Sequence, residues 1–267
     1  MSQWNNKYSQ EARDDFYSNE RKNHIKIKKN SIFSSYDIFL CDNIFDKYFP
    51  RSSDWNKLKI VELWSWDWKM LKKISDKYWY DATGLEYSPA WVEMWLANGV
   101  NTILCDVFDD KQISPFFEKF DIVYSYWFIE HIIPVEKAIE QHLKLLKKWW
   151  TLVMQIPRIK WFNYKKIKLL RPDLIPLHNL DLMEDFILSN HCKNFSELQE
   201  VYCKNYWTFK IRVPTSKQIM WNFRYYTAKI LSYIEYISNP LLRLFYWSKW
   251  HESRYFSPCT IYIWKKV

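Results

Sequence analysis

Two acids and a set of tryptophans carry the chemistry that can be read from this chain. The segment Glu62-Leu63-Trp64-Ser65-Trp66-Asp67-Trp68 follows the apolar run KIVEL and opens a helix-like stretch. With glycine at 64, 66 and 68 it becomes E-L-G-S-G-D-G, the glycine-rich turn of a nucleotide-binding strand–loop–helix unit. Such a turn needs glycine because the backbone comes so close to the ligand that a Cβ would collide with it. An indole cannot share that space. Glu86 follows Glu62 by 24 positions. An acid about 20 residues past a glycine turn is placed to hold both hydroxyls of a ribose. The competing reading of Glu86 is a solvated acid at a strand end.

The composition bears on the same point. The chain has 2 glycines and 17 tryptophans in 267 residues. An ordinary chain of this length would carry about 19 glycines. We therefore read most of the tryptophans as glycines of the natural protein, arising from a codon, UGA being the obvious one, that the source reads as glycine. Tyr124-Ser125-Tyr126-Trp127-Phe128-Ile129-Glu130-His131 then becomes YSYGFIEH, and Leu145 to Leu152 becomes LLKKGGTL. A Gly-Gly after Lys147 and Lys148 suits a helix C-terminus, because glycine takes the left-handed cap and lysines favour that end of the helix dipole. Trp4, Trp91 and Trp221 are the least certain members of this set.

The elements that must position these residues alternate. Strands are expected at 59–63, 81–86, 101–105, 121–126 and 151–156, with helices at 69–78, 89–98 and 134–148 between them. Ser88 is the expected N-cap of the second helix and Pro89 its first residue. Strands and helices at this spacing imply a parallel sheet with right-handed crossovers. After Pro157 the pattern changes. Residues 158–180 read as an irregular insertion, 182–191 as a helix, and 195–213 as a strand region. Residues 216–247 read as a long aromatic and basic helical stretch. Its apolar positions, Ile219, Phe223, Tyr226, Ile230, Tyr233, Ile234 and Ile237, share one face. That face is expected to pack on the sheet or cap a cleft, with a substrate lid or lipid-facing helix as the alternative. A last strand is expected at 258–265.

Residues 58–156 resemble the core of a class I S-adenosylmethionine-dependent methyltransferase of the small-molecule type. The resemblance implies an α/β, Rossmann-like fold. Its sheet is seven-stranded and mostly parallel, with an antiparallel last strand and helices on both faces. It implies S-adenosylmethionine as cofactor, held by Glu62, Trp64, Ser65, Trp66, Trp68, Glu86, Tyr87, Asp106, Val107, Ser125, Trp127 and Phe128. Asp106 would meet the adenine amino group, the competing reading being a helix N-cap or loop acid. His131 would be the catalytic residue, as a general base for a hydroxyl acceptor, because its ordinary pKa is near neutral; the alternative is a packing or capping role. Residues 1–57 are expected as an N-terminal helical cap, 58–156 as the cofactor-binding core, and 157–267 as the rest of the sheet with substrate-side insertions.

Other function classes receive less support. No (D/N)PP(Y/F) follows the fourth strand, which disfavours amino-group methylation of adenine or glutamine. Pro258-Cys259 stands in the last strand, so a cysteine-nucleophile mechanism lacks its motif. Five scattered cysteines without CxxC spacing give no metal or redox motif, and no metal ligands are expected. Reduced thiols and a polar start fit a cytoplasmic protein, and no run is long enough for a membrane span. The net charge of +9 gives a weak vote for an acidic partner, nucleic acid or an anionic membrane surface, and a bias in nucleotide composition explains it at least as well; an RNA methyltransferase is the alternative to the small-molecule reading. A third reading, a non-catalytic binding protein on the same fold, gains if the tryptophans of the turn are real.

Overall fold

The structure is a computed structural model. It describes residues 44–53, 55–64, 68–170, 172, 175, 178–183, 186–206, 226, 227, 230, 233, 234, 257 and 259–267. Seven strands form one sheet: β1 (Lys59–Leu63), β2 (Asp81–Glu86), β3 (Asn101–Leu104), β4 (Phe120–Tyr126), β5 (Leu146–Pro157), β6 (Leu198–Tyr206) and β7 (Cys259–Lys266). Their order is β3-β2-β1-β4-β5-β7-β6. The pairs among β1 to β5 are parallel, and β7 runs antiparallel to both β5 and β6. The expected fold class is the observed one.

Burial on both faces explains the apolar strands. All seven residues of β4 are buried, as are four of the five in β1. A parallel strand covered on both sides reads as a continuous apolar run. Ile60, Tyr124 and Val153 belong to one core layer, with Met70, Leu71, Ile74 and Tyr78 of α1 (Trp68–Tyr78) and Trp91 and Trp95 of α2 (Pro89–Ala97). Ile44, Phe45 and Phe49 join the same layer, so the described end of the N-terminal segment packs into the core. The rest of the expected cap lies outside the described residues. Val61, Leu63, Val123 and Leu152 belong to the other layer, with Ile139 and Leu143 of α3 (Val135–Leu145).

Gly84 of β2 marks a close approach between layers. A Cβ built there would lie 2.4 Å from the six-membered ring of Trp95. Gly84→Ala should therefore cost roughly 1–3 kcal/mol by overpacking. Urea denaturation would measure it, and an unchanged midpoint would count against this packing.

From the start of α2 onward the chain matches expectation in part. Ser88 occupies the N-cap position with Pro89 in the first turn, but its side chain makes no capping bond. The helix expected at 134–148 stops at Leu145, and β5 begins at once. Two lysines account for the early stop. Lys147 is drawn to Asp121 at the start of β4, at 2.7 Å, while the other oxygen of that carboxylate accepts the Lys59 backbone N–H at 2.8 Å. Lys266 donates to the carbonyls of Leu143 and Leu146 at 2.9 and 3.1 Å, covering the helix end from β7. Trp149 has φ +70 but lies inside β5, near a register shift with β4, rather than at the helix cap.

Further along, 158–180 is not wholly irregular, because α4 spans Trp161–Leu170. The helix expected at 182–191 is the shorter α5 (Ile187–Cys192), after a 3-10 turn at Leu180–Met183. Of the stretch 216–247, residues 226, 227, 230, 233 and 234 are described and helical. Tyr226, Ile230, Tyr233 and Ile234 are exposed, where the spacing predicts a packed face. The remainder of that stretch lies outside the described residues. No helix among the described residues is long and apolar enough to cross a membrane.

Candidate active site

The strand order creates one crevice at the edge where the parallel strands end. From β1 the chain builds outward through β2 and β3, then crosses back to β4 on the other side of β1. The neighbouring ends of β1 and β4 are thus a topological switch point, where open α/β sheets bind ligands. The residues that leave these two strands are Trp64 and Trp127. Both have left-handed backbones, with φ +45 and +61. The Trp64 N–H donates to the Leu85 carbonyl of β2 at 2.9 Å, and the Trp127 N–H to the Gln155 carbonyl of β5 at 2.9 Å. Each turn is therefore anchored to the next strand out.

The Trp64 indole stands edge-on to Phe128, 5.6 Å between ring centres, and to His131, 5.7 Å. Phe128 belongs to the expected cofactor-binding set, and His131 is the expected general base. Phe128 is buried and stacks on Phe108. Ser125 and Val107 are buried nearby in the sequence-predicted set, and Tyr87 is half-buried after β2. Ser65 and Trp66 lie outside the described residues, as does the side chain of Trp68.

The acids divide by environment. Glu62 is fully buried within β1. Glu86 ends β2, is buried, and accepts the Ser88 backbone N–H at 2.9 Å. Burial pushes its pKa up to about 8, with the backbone N–H groups of Ser88 and Tyr87 pulling the other way. It is not the solvated strand-end acid of the competing reading. Asp106 accepts the Phe108 N–H at 2.9 Å, so one of its oxygens serves the loop. The N-cap of the helical turn that follows is Asp109 instead.

Glu130 and His131 sit in a 3-10 turn after β4, with the Glu130 side chain fully buried and its Oε1 3.8 Å from His131 Nε2. The His178 ring lies 4.8 Å from that of His131. The Asn179 N–H donates to the Glu130 carbonyl at 2.7 Å and holds this later segment against the turn. His178 was not legible as a site residue in the sequence. No local spacing links it to His131, and only the folded chain brings the two together.

S-adenosylmethionine, the cofactor implied by the resemblance, fits part of this arrangement. Glu86 offers a buried carboxyl, held by the backbone N–H groups that follow it, at the strand end where a ribose would lie. Trp64 does not fit, because its indole fills the space between the β1 turn and Phe128.

The comparisons with known proteins agree at the level of architecture. No family model matches the chain, and no curated protein matches it in sequence. Solved structures do match. The methyltransferase bound to the activator Trm112 of Haloferax volcanii aligns over 95% of this chain and 96% of its own, with 12% identity and a TM-score of 0.58. An S-adenosylmethionine-dependent methyltransferase of Thermotoga maritima aligns over 94% and 97%, with 13% identity and a TM-score of 0.56. This is the class I methyltransferase fold. The same fold also serves other chemistry. The cyclase SpnF aligns over 90% of this chain and 84% of its own, with 8% identity and a TM-score of 0.54. Function must accordingly be argued from the site.

Proposed function

We propose that the functional protein transfers a methyl group from S-adenosylmethionine to a small-molecule acceptor, and that it carries glycine where Trp64, Trp66, Trp68 and Trp127 stand. The observation that supports this most is the backbone at the switch point. Among the described residues, seven non-glycine positions have positive φ, and five of them are tryptophans: Trp64, Trp79, Trp127, Trp149 and Trp161. A bulky residue is a rare outlier there, whereas glycine enters the region freely. Sampling of tryptophan by chance does not concentrate it at the few positions that demand glycine.

With glycine at 64 the space beside Phe128 opens. Glu86 then faces the ribose, Asp106 and Val107 border the adenine, and Phe128 shields the methyl end from water. The cofactor supplies an electrophilic methyl group on sulfur. The chain contributes position and desolvation, which are the main requirements of direct in-line transfer. His131 stands on the acceptor side of this space. A cytoplasmic location and a small-molecule acceptor belong to the same proposal. If Trp64 is the natural residue, the non-catalytic reading becomes the better one, because the indole occupies the cofactor's place.

Calorimetric titration with S-adenosylmethionine separates these readings. The chain with glycine at 64, 66, 68 and 127 should bind, and the chain as written should not. Equal binding by both would sink the account of the loop, and binding by neither would sink the methyltransferase reading. Peptide mass spectrometry of the protein from its source should find glycine masses at 64, 66 and 68.

A further inference from the structure

We infer that Glu130, His131 and His178 form a binding site for a single zinc-class divalent cation at the acceptor side of the crevice. Their ligand atoms all lie within 4.8 Å of one another, one from each residue. The Glu130 and His131 pair is already at 3.8 Å. Ligands bonded to zinc at about 2.0–2.1 Å in a tetrahedron are roughly 3.3 Å apart. Side-chain rotations of about an ångström close the group without moving the backbone. The backbone is fixed by the Asn179 N–H on the Glu130 carbonyl, which sets His178 opposite the turn.

The donor set names the class of ion. Two imidazoles and one carboxylate suit zinc and other first-row transition ions, and calcium and magnesium prefer all-oxygen shells. Three protein ligands leave a coordination position open, the pattern of catalytic rather than structural sites. The Glu130 side chain is fully buried. Among the described residues this is the one group of three such ligands within reach of each other.

The place of the site gives it a use, which rests on the methyltransferase reading above. Trp64 touches His131, so removal of the indole opens the cofactor space directly onto this cluster. An ion there would take an oxygen of the acceptor in its open position and lower that oxygen's proton affinity. The acceptor class this favours is a hydroxyl compound. His131 then acts as a ligand, and the acceptor's proton leaves to water.

The test uses the full chain with glycine at 64, 66, 68 and 127, alongside the chain as written. Each is titrated with zinc chloride alone by calorimetry, and cobalt substitution is followed by visible absorption. The expected result is one ion per chain, with the intense tetrahedral cobalt spectrum. Glu130→Gln and His178→Ala should each weaken zinc binding by roughly a hundredfold, and His178→Cys should restore it. Circular dichroism of each variant checks that it folds. Absence of stoichiometric zinc binding, or unchanged binding in folded His178→Ala, overturns the site. S-adenosylmethionine binding is measured on the same samples. Cofactor binding without zinc binding sinks the metal site alone, and zinc binding without cofactor binding sinks the methyltransferase reading alone.

Discussion

Replacing Trp79, Trp149 and Trp161 together by glycine should stabilise the protein by roughly 3 kcal/mol. The three sit at φ +62, +70 and +52. An L-residue in the left-handed region pays about 1–2 kcal/mol that glycine does not pay, partly offset by glycine's larger entropy loss on folding. Little burial is lost in exchange at Trp79 and Trp149, which are 64% and 67% exposed, and more at Trp161, which is 43% exposed. The protein contains its own comparison. At the end of α2, Gly99 has φ +76, and the Val100 N–H donates to the Trp95 carbonyl at 3.1 Å. At the end of α1, Trp79 holds the matching place, and the Tyr80 N–H donates to the Ser75 carbonyl at 3.1 Å. Both are left-handed helix caps of the kind glycine supplies. One is occupied by glycine and the other by the residue that fits worst. For a chain of this size about 3 kcal/mol corresponds to a rise in Tm of roughly 6–12 °C. Trp150→Gly is the control, since Trp150 is outside the positive-φ set, and it should give no gain. A triple variant no more stable than the parent would remove the conformational argument for glycine.

Cofactor affinity in the glycine form should rise with pH up to about 8. Burial raises the Glu86 pKa to about 8 in the free protein, so most of the population is protonated at neutral pH. Two ribose hydroxyls donate to the ionised form. Binding must therefore release a proton below pH 8, and the affinity falls by up to about tenfold for each pH unit below that value. Glu86→Gln removes this slope and should weaken binding by roughly 10–100-fold, the worth of one or two hydrogen bonds to a charged group. Calorimetry in buffers of different ionisation enthalpy would count the proton. A flat affinity between pH 6 and 8, together with unchanged binding by Glu86→Gln, would show that Glu86 does not meet the ribose.

The same group sets the sign of a stability effect in the free protein. The folded-state pKa lies above the unfolded value of about 4.3, so folding takes up a proton in between. Stability from Glu86 is full below that lower value and is lost as pH rises toward 8. His142 acts at the other end. It is fully buried, and burial lowers its pKa to about 4 although Nδ1 lies 2.6 Å from the Ala138 carbonyl. Its contribution is present above the ordinary histidine range and is lost as pH falls through that range toward 4.

The sheet was legible in the sequence because its strands are short, apolar and spaced by helices. KIVEL, DATGLE and DIVYSY were each placed within a residue of the observed strands. Glu86 stands at the end of β2 for a related reason, since the distance from the end of β1 to the end of the next strand is fixed by one crossover. Boundaries failed where a distant partner decides them. The end of α3 depends on Asp121 drawing Lys147 and on Lys266 reaching from β7, and neither contact is visible in LLKKWWTL. Tyr226, Ile230, Tyr233 and Ile234 are exposed rather than packed on the sheet, because periodicity shows which residues share a face but not what covers it.

By itself the sequence determined the alternating strands and helices of a parallel sheet, the acid that ends β2 and the suspicion about tryptophan, all of which follow from composition, local spacing and residue type, while the antiparallel last strand was implied by the family resemblance. Tertiary structure alone decided the rest. It turned the suspicion into a conformational statement, since φ at Trp64 and Trp127 exists only once β1 and β4 lie side by side. It also brought His178 to Glu130 and His131, because a contact between distant segments depends on how the chain closes and not on any period along it.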